Sequence, residues 1–182
     1  MLEWPFFIAG TVVLAYLSRA SLRAPKSHGF FRFFAWELML ILLAMSHGRW
    51  GNTVSTPDQI ASVVMMNISL LLVFSGYLSL FMFGKHDANR DDACLLLIEK
   101  TTRLVTRGLY RYIRHPIYSS LLFLDWGLFF KEMSWLSAGI SFLASIFLLL
   151  ASRAEENENI DYFGSQYQKY MASTKLFIPF LL

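Results

Sequence analysis

Five apolar stretches separated by polar connections run along this chain. They cover residues 4–18, 30–46, 60–83, 117–130 and 133–152. A helix of about 20 apolar residues spans the roughly 30 Å hydrocarbon core of a bilayer, so the third and fifth stretches are long enough to cross it. Snorkelling of Arg19 extends the first stretch, whereas the fourth covers only about 21 Å. The pattern predicts an all-α integral membrane bundle of about five transmembrane helices.

The fourth and fifth stretches are separated by little more than Lys131 and Glu132. We therefore expect a tight helical hairpin whose first arm begins at the membrane interface. Pro116 suits the first turn of that arm, because the N–H that proline lacks would have no partner there. At the start of the chain, Glu3 and the lack of basic residues before the apolar run favour a first membrane span over a cleaved signal peptide.

The composition agrees with a lipid environment. Of 182 residues, 55% are hydrophobic and 16% are charged, whereas soluble domains usually carry about 25% charged residues. No low-complexity segment, internal repeat or separate soluble domain is visible, so we expect one domain over residues 1–182, with the site in about residues 84–182. The single cysteine, Cys94, argues against an internal disulfide and a cysteine-based metal site. We expect no nucleic-acid partner, and the oligomeric state stays open.

Basic residues are concentrated in two of the connections between the stretches. The first and third connections hold Arg19, Arg23, Lys26, Arg32, Lys85, Arg90, Lys100, Arg103, Arg107, Arg111 and Arg114. The second connection holds only Arg49, and the tip of the hairpin holds only Lys131. By the positive-inside rule, the N-terminus is expected outside and the C-terminus in the cytoplasm. Residues 108–118 and 153–156 would then face the cytoplasm together.

Two polar clusters border the predicted hairpin. The run GLYRYIRHPIY occupies residues 108–118, and Arg153-Ala-Glu155-Glu156 follows the fifth stretch. Glutamates attract an amino group or a sulfonium, arginine and histidine hold a carboxylate, and tyrosine rings stack on an aromatic base. S-adenosylmethionine carries all of these features. Alternatively, the arginines anchor a helix end and pair with Glu155 and Glu156, and the residues alone leave this open.

Several polar residues outside these clusters have simpler interpretations. The loop of residues 84–92 contains ligand types that suit a hard cation, namely His86, Asp87, Asp91 and Asp92. Their spacing matches no known site, so we expect a solvated loop and no metal. Residues 94–98 are expected to form a short interfacial helix or strand.

The polar residues near or inside the stretches have expected partners. Glu37 is one turn from Arg32 and is expected to pair near the interface. Asp125 lies in the fourth stretch and faces either a ligand cavity or an internal partner. His28 and His47 are interpreted as ordinary loop residues.

The two clusters together resemble the signatures of a known membrane family. Arg114-His-Pro-Ile-Tyr118 resembles the R-H-P-x-Y motif of the isoprenylcysteine carboxyl methyltransferases and their relatives, the phospholipid N-methyltransferases. Arg153-x-Glu155-Glu156, followed by Phe163-Gly-x-x-Tyr167-x-x-Tyr170 and a proline at 179, is similar to the second signature. The resemblance covers about residues 104–179. Ser120 stands where the family often has glycine, and Asn159 where it commonly has an apolar residue.

The resemblance implies a cytoplasmic pocket for S-adenosylmethionine and a closing C-terminal helix. The pocket residues would be Leu104, Val105, Gly108, Tyr110, Arg114, His115, Pro116, Tyr118, Glu155 and Glu156. Arg153 would lie beside the methyl acceptor, with Glu156 as the second catalytic residue. Phe163, Gly164, Tyr167 and Tyr170 would lie on the closing helix.

The resemblance predicts methyl transfer from S-adenosylmethionine to a lipid-like or small apolar acceptor at the membrane. Carboxyl methylation of an isoprenylcysteine-type acceptor is the first expectation, because a carboxylate needs only a cation such as Arg153 to orient it. N-methylation of a phospholipid head group and S-methylation of a small thiol are the alternatives. A non-catalytic membrane protein and an NADPH-dependent reductase on a related scaffold are the rivals from other classes.

Overall fold

The computed structural model describes residues 3–51, 54–84 and 102–178, which are almost entirely helical. The described α-helices are α1 (Glu3–Leu17), α2 (Arg19–Leu22), α3 (His28–Met45), α4 (Pro57–Phe83), α5 (Pro116–Lys131), α6 (Trp135–Phe163) and α7 (Ser165–Ser173). Short 3-10 turns occupy His47–Arg49 and Gly108–Arg111. The all-α prediction is confirmed, and each of the five apolar stretches forms the body of one helix.

Helices α4 and α5 form one antiparallel pair with a close interface. Two glycines allow this approach. A Cβ on Gly127 would come within 3.0 Å of Met66, and one on Gly76 would come within 3.4 Å of Pro116. Ser62 Oγ donates to the carbonyl oxygen of Gly127 at 2.8 Å. Small residues at such contacts let helix backbones pack closely where lipid gives no hydrophobic drive.

Helices α3 and α6 form a second antiparallel pair, and α1 packs against α3. The stacked rings of Phe34 and Phe147, 5.3 Å apart, belong to the α3–α6 interface. Between α1 and α3, Thr11 Oγ1 donates to Glu37 Oε2 at 2.9 Å. Glu37 therefore has a pairing partner, as expected, and this partner lies on the neighbouring helix.

Three of the described helices are long and apolar enough to cross a membrane, namely α3, α4 and α6. Pro5–Leu17 is a shorter apolar helix, and α5 has 16 residues. Helix α4 exposes large apolar side chains along its length, as expected of a lipid-facing surface. Examples are Leu70, Leu71, Phe74 and Phe81. The chain is therefore an integral membrane protein, and the count of about five spans stays a prediction.

The hairpin between α5 and α6 turns where it was expected, at residues 132–134. A reciprocal capping box of Ser134 and Ser137 starts α6, and Arg49 Nε lies 2.6 Å from Glu132 Oε2. Helix α6 continues past the fifth apolar stretch and ends at Phe163.

His28 corrects another expectation. It is the first residue of α3 rather than a loop residue, and its side chain is completely buried. The preceding Ser27 caps the helix, since its Oγ accepts a hydrogen bond from the Phe30 amide at 3.2 Å. His47 does lie in a connection, in the turn after α3. The expectations for residues 84–92 other than Gly84, for residues 94–98 and for Pro179 fall outside the described residues.

Candidate active site

The two predicted clusters meet at one end of the bundle. The starts of α3 and α5 lie there, together with the end of α6, helix α7 and residues 174–178. The last of these segments runs beside the first cluster, with a parallel bridge between Ile113 and Lys175. The amides of Arg114 and His115 donate to the carbonyl oxygens of Lys175 and Leu176 at 2.8 and 3.1 Å. This pairing fixes the backbone just before α5.

Glu156 is the centre of the charged contacts. Its Oε1 lies 2.6 Å from Arg114 Nε, and its Oε2 lies 2.9 Å from Arg153 Nη1. The side chains of Glu156 and Arg114 are only 3% and 9% exposed. Arg114 Nη1 also donates to the carbonyl oxygens of Met171, at 3.1 Å, and Thr174. The pairing of arginine with glutamate, which the sequence left open, is thus present. Through Arg114 it joins α6 to the end of α7 and to Thr174.

His115 lies between the two glutamates without a direct hydrogen bond to either. Its Nδ1 is 3.9 Å from Glu155 Oε1, and its Nε2 is 3.8 Å from Glu156 Oε1, both longer than a hydrogen bond. The Nε2 atom is buried and has no hydrogen-bond partner among the described residues. A buried polar atom of this kind calls for an explanation, and a bound ligand supplies one.

Other predicted site residues build the frame around this centre. Tyr118 is buried, with its ring centroid 5.6 Å from that of His115. Val105 and Pro116 are buried as well. Gly108 has a φ of +64°, and a Cβ there would lie 2.3 Å from Ser79 Oγ, so no other residue fits without a shift of the backbone. The first cluster therefore packs directly against α4 through Gly108 and Pro116.

Helix α7 covers the site after a sharp break at Gly164, whose φ is +59°. Tyr167 and Tyr170 are buried, with ring centroids 5.7 Å apart, and Tyr170 Oη donates to the Tyr110 carbonyl oxygen at 2.7 Å. Burial raises the pKa of both tyrosines, and the charge of Glu155 adds to this for Tyr167. Both hydroxyls are therefore uncharged at neutral pH.

The expected closing helix is thus present, but it starts later than predicted. Phe163 is the last residue of α6 and Gly164 forms the break, so neither lies on α7. Two residues depart from the family pattern. At the first, Ser120, the hydroxyl donates a hydrogen bond to the Ile117 carbonyl oxygen at 2.6 Å. Asn159 interacts with Tyr167 and lowers its pKa, against the larger effect of burial.

Two cavities open at this end of the bundle. One, of about 710 Å³, is lined by Arg103, Leu104, Thr106, Arg111, Gln166, Lys169, Tyr170, Ser173 and Thr174. The other, of about 830 Å³, lies between α5, α6 and the C-terminal segment. Its lining includes Arg111, Arg114, Arg153 and Lys175 together with Leu122, Ser145, Leu149 and Phe177. The predicted residues are therefore divided, with Leu104 on the first cavity and Arg114 and Arg153 on the second.

Ser145 connects the second cavity to Asp125. Its Oγ lies 3.4 Å from Asp125 Oδ2 and accepts a hydrogen bond from Trp126 Nε1 at 3.1 Å. Asp125 itself is completely buried. Asp125 therefore has an internal partner, Ser145, and its role in a ligand cavity stays a prediction.

Sequence reasoning missed one contact altogether, between His28 and Glu158 of α6. Glu158 Oε2 lies 2.5 Å from His28 Nδ1. No signal in the sequence links two residues so far apart. Within the part of the chain that the structure describes, no group of three or more His, Cys, Asp or Glu residues could hold a metal ion.

The apolar helices define an integral membrane protein with a polar candidate site at one end of the bundle. Residues 57–169 match the family described as phospholipid methyltransferase. The chain belongs to this family. The match starts at α4, so α1, α2 and α3 lie outside it.

Two curated relatives share sequence with this chain. Methanethiol S-methyltransferase of Pseudomonas deceptionensis is 25% identical over 150 residues, which cover 82% of this chain and 54% of the relative. Methanethiol S-methyltransferase 1 of Bradyrhizobium diazoefficiens is 27% identical over 134 residues, covering 69% and 44%. The chain thus spans about half the length of the curated relatives it matches. No solved structure matches significantly.

Proposed function

We propose that this protein transfers the methyl group of S-adenosylmethionine to an acceptor that reacts as an anion, and that this acceptor is a small apolar thiol. Membership of a membrane methyltransferase family supports the reaction. The names of the two relatives support the thiol among the three acceptors expected from the sequence. The cavity walls support an anionic acceptor.

The residues around His115 fit S-adenosylmethionine. Its buried Nε2 lacks a partner among the described residues, which suits a hydroxyl or carboxylate of the ligand. Glu155 is 22% exposed at its side chain and offers a carboxylate to a sulfonium or an amino group. The neighbouring cavity of about 710 Å³ lies within the range of about 300–1,000 Å³ that holds ligands of this size. When bound, the cofactor supplies an electrophilic methyl group.

The positive charge of the second cavity is the observation that supports an anionic acceptor. Arg111, Arg114, Arg153 and Lys175 line it, and no carboxylate does so among the described lining residues. A nearby cation favours the thiolate form of a thiol, which is the nucleophile. At neutral pH an amine acceptor arrives as an ammonium ion, which the positive charges of this wall repel, and this disfavours phospholipid N-methylation. A carboxylate suits the same wall, so carboxyl methylation is the second candidate.

The protein's own groups would act by placing the reactants and excluding water. Arg153 orients the anionic acceptor, and Glu156 contacts both arginines and fixes the buried Arg114. The hydrogen bond from Tyr170 Oη to the Tyr110 carbonyl oxygen holds α7 over the site. Alignment of a nucleophile with an activated methyl group supplies much of the rate in such a reaction.

Binding to the purified protein tests the cofactor. We expect S-adenosylhomocysteine to bind and NADPH not to bind, measured by isothermal titration calorimetry. Glu155→Gln should weaken S-adenosylhomocysteine binding by about 2–5 kcal/mol, the usual effect of removing one partner of a buried charged contact. Asp161→Asn, at an exposed position of the same helix, should leave the affinity unchanged. Binding of NADPH alone would favour the reductase.

Turnover in one preparation tests the acceptor. Radiolabelled methyl transfer should be seen with a small alkanethiol, and less with an isoprenylcysteine-type carboxylate or with phosphatidylethanolamine. Preference for the carboxylate would move the second candidate ahead. Preference for phosphatidylethanolamine would contradict the anionic acceptor.

A further inference from the structure

The hydrophilic end of α6 projects beyond the apolar part of the helix. Residues 153–163 extend it by about 16 Å, and Arg153, Glu155 and Glu156 lie on this extension. Lipid does not hold a helix end of this kind, so its lateral contacts decide where the acidic residues lie. Contacts on two sides are needed to keep them at a defined distance from His115.

The Arg114–Glu156 pair is the contact on one side, and Glu158 makes the contact on the other. Glu158 Oε1 accepts a hydrogen bond from the His28 amide at 3.0 Å, and its Oε2 lies 2.5 Å from His28 Nδ1. Positions 156 and 158 point about 200° apart around a helix. The extension is thus held between the first cluster and α3.

The start of α3 is well suited to hold Glu158. His28 follows the Ser27 cap, so its amide is one of the N–H groups that have no partner within the helix. The positive end of the helix dipole also favours a carboxylate at this position. The His28 side chain is completely buried, which shields the contact between Nδ1 and the carboxylate from water.

We infer from these contacts that His28 is a positioning residue of the cofactor site, acting through Glu158 on Glu155 and Glu156. Helix α3 lies outside residues 57–169, which match the family, so the N-terminal part of this chain would contribute to the site. The inference rests on the proposed function, because it requires the cofactor to bind beside the acidic pair.

The affinity of the full-length protein for S-adenosylhomocysteine tests the inference, again by calorimetry. Asparagine places its side-chain nitrogen near the position of histidine Nδ1, whereas glutamine places it near that of Nε2. We expect His28→Ala, His28→Gln and Glu158→Gln to weaken binding about fivefold or more, and His28→Asn to keep nearly full affinity. The double variant H28A/E158Q should lose no more than the weaker-binding single variant, because both changes remove one contact.

Arg49→Ala is the matched control. It removes an interhelical ion pair of similar length, Arg49–Glu132 at 2.6 Å, at the opposite end of the bundle. We expect this variant to lower the thermal midpoint and to change the affinity by less than about twofold, as for distant sites.

The outcomes separate the inference from the proposed function. If the His28 and Glu158 variants lose stability but keep their affinity, as Arg49→Ala should, then His28 has only a structural role and the inference is wrong. If His28→Ala does not fold, the comparison of His28→Asn with His28→Gln decides. Equal affinities of these two variants for S-adenosylhomocysteine would overturn the inference. A wild-type protein that binds no S-adenosylhomocysteine contradicts both proposals.

Discussion

Arg114 and Arg153 share one carboxylate, yet their surroundings differ. Arg114 is almost buried and is also tied to two backbone carbonyls near α7. Arg153 has a side chain that is 59% exposed, and among the described residues its ion-pair partner is Glu156. Arg114 therefore has a mainly architectural position, and Arg153 is the arginine that can turn toward an acceptor.

Replacement of Arg153 tests this division at the residue scale. Positions 153 and 155 are about 200° apart on α6, so one can face the acceptor while the other faces the cofactor. We expect Arg153→Ala to abolish turnover while S-adenosylhomocysteine affinity changes only about threefold or less. Arg153→Lys should recover little, because a point charge does not replace a planar fork.

Arg107→Ala provides the control, since Arg107 is exposed and outside both cavity linings. Its turnover should match the wild type. Full turnover of Arg153→Ala with a thiol or a carboxylate would contradict its role in orienting the acceptor.

Among single residues, those that belong to local motifs were predictable, and their long-range partners were not. The two motifs identified Arg114, His115, Glu155 and Glu156, and the structure brings these residues together. His28 was missed because its neighbours in sequence show no periodic pattern. Its burial comes from Glu158, far along the chain.

At the scale of elements, α5 and α6 form a wall of the larger cavity. Leu149 of α6 lines it, whereas Leu143 of the same helix, with a similar exposure of 44% against 41%, lies outside the lining. We expect Leu149→Trp to lower kcat/KM for the acceptor about tenfold or more by filling the cavity, with S-adenosylhomocysteine affinity unchanged.

Leu143→Trp makes the same change on the outer surface of the helix and should have no effect on either quantity. The measurement is acceptor kinetics beside calorimetry on both variants. Equal kinetics of the two variants would show that the acceptor binds elsewhere.

Apolar stretches predicted the bodies of the helices better than their ends. Helix α6 continues through residues 153–163, which are polar and lie outside the apolar stretch but include good helix formers such as Ala154, Glu155 and Glu156. Their helical state follows from contacts with α3 and with the first cluster. A break at Gly164 then separates α6 from α7, and glycine with a positive φ is the usual residue at such a point.

At the scale of the whole molecule, the basic residues of the first and third connections that the structure describes share one end of the bundle with the candidate active site. This agrees with the orientation expected from the positive-inside rule, in which that end is cytoplasmic. In a protein with Cys94 replaced by serine, we expect Ser165→Cys to react with an impermeant maleimide only from the cytoplasmic side. Gly48→Cys should react only from outside.

Both positions suit this labelling experiment. Ser165 is exposed, and a Cβ on Gly48 would meet nothing within 4 Å. Closed and opened cells or oriented vesicles supply the two sides. Labelling of both cysteines from one side would contradict the predicted topology.

Helix α6 joins its lipid-facing segment to the residues around Glu156 without a break. Because a helix has a fixed rise per residue, the height of Glu156 above the bilayer midplane depends on how the apolar segment matches the thickness of the hydrocarbon layer. A thicker bilayer draws the acidic end toward the head groups, and a thinner bilayer leaves it further out in water. We therefore expect acyl-chain length in the host membrane to change the height of the candidate site, even where no lipid molecule binds to it.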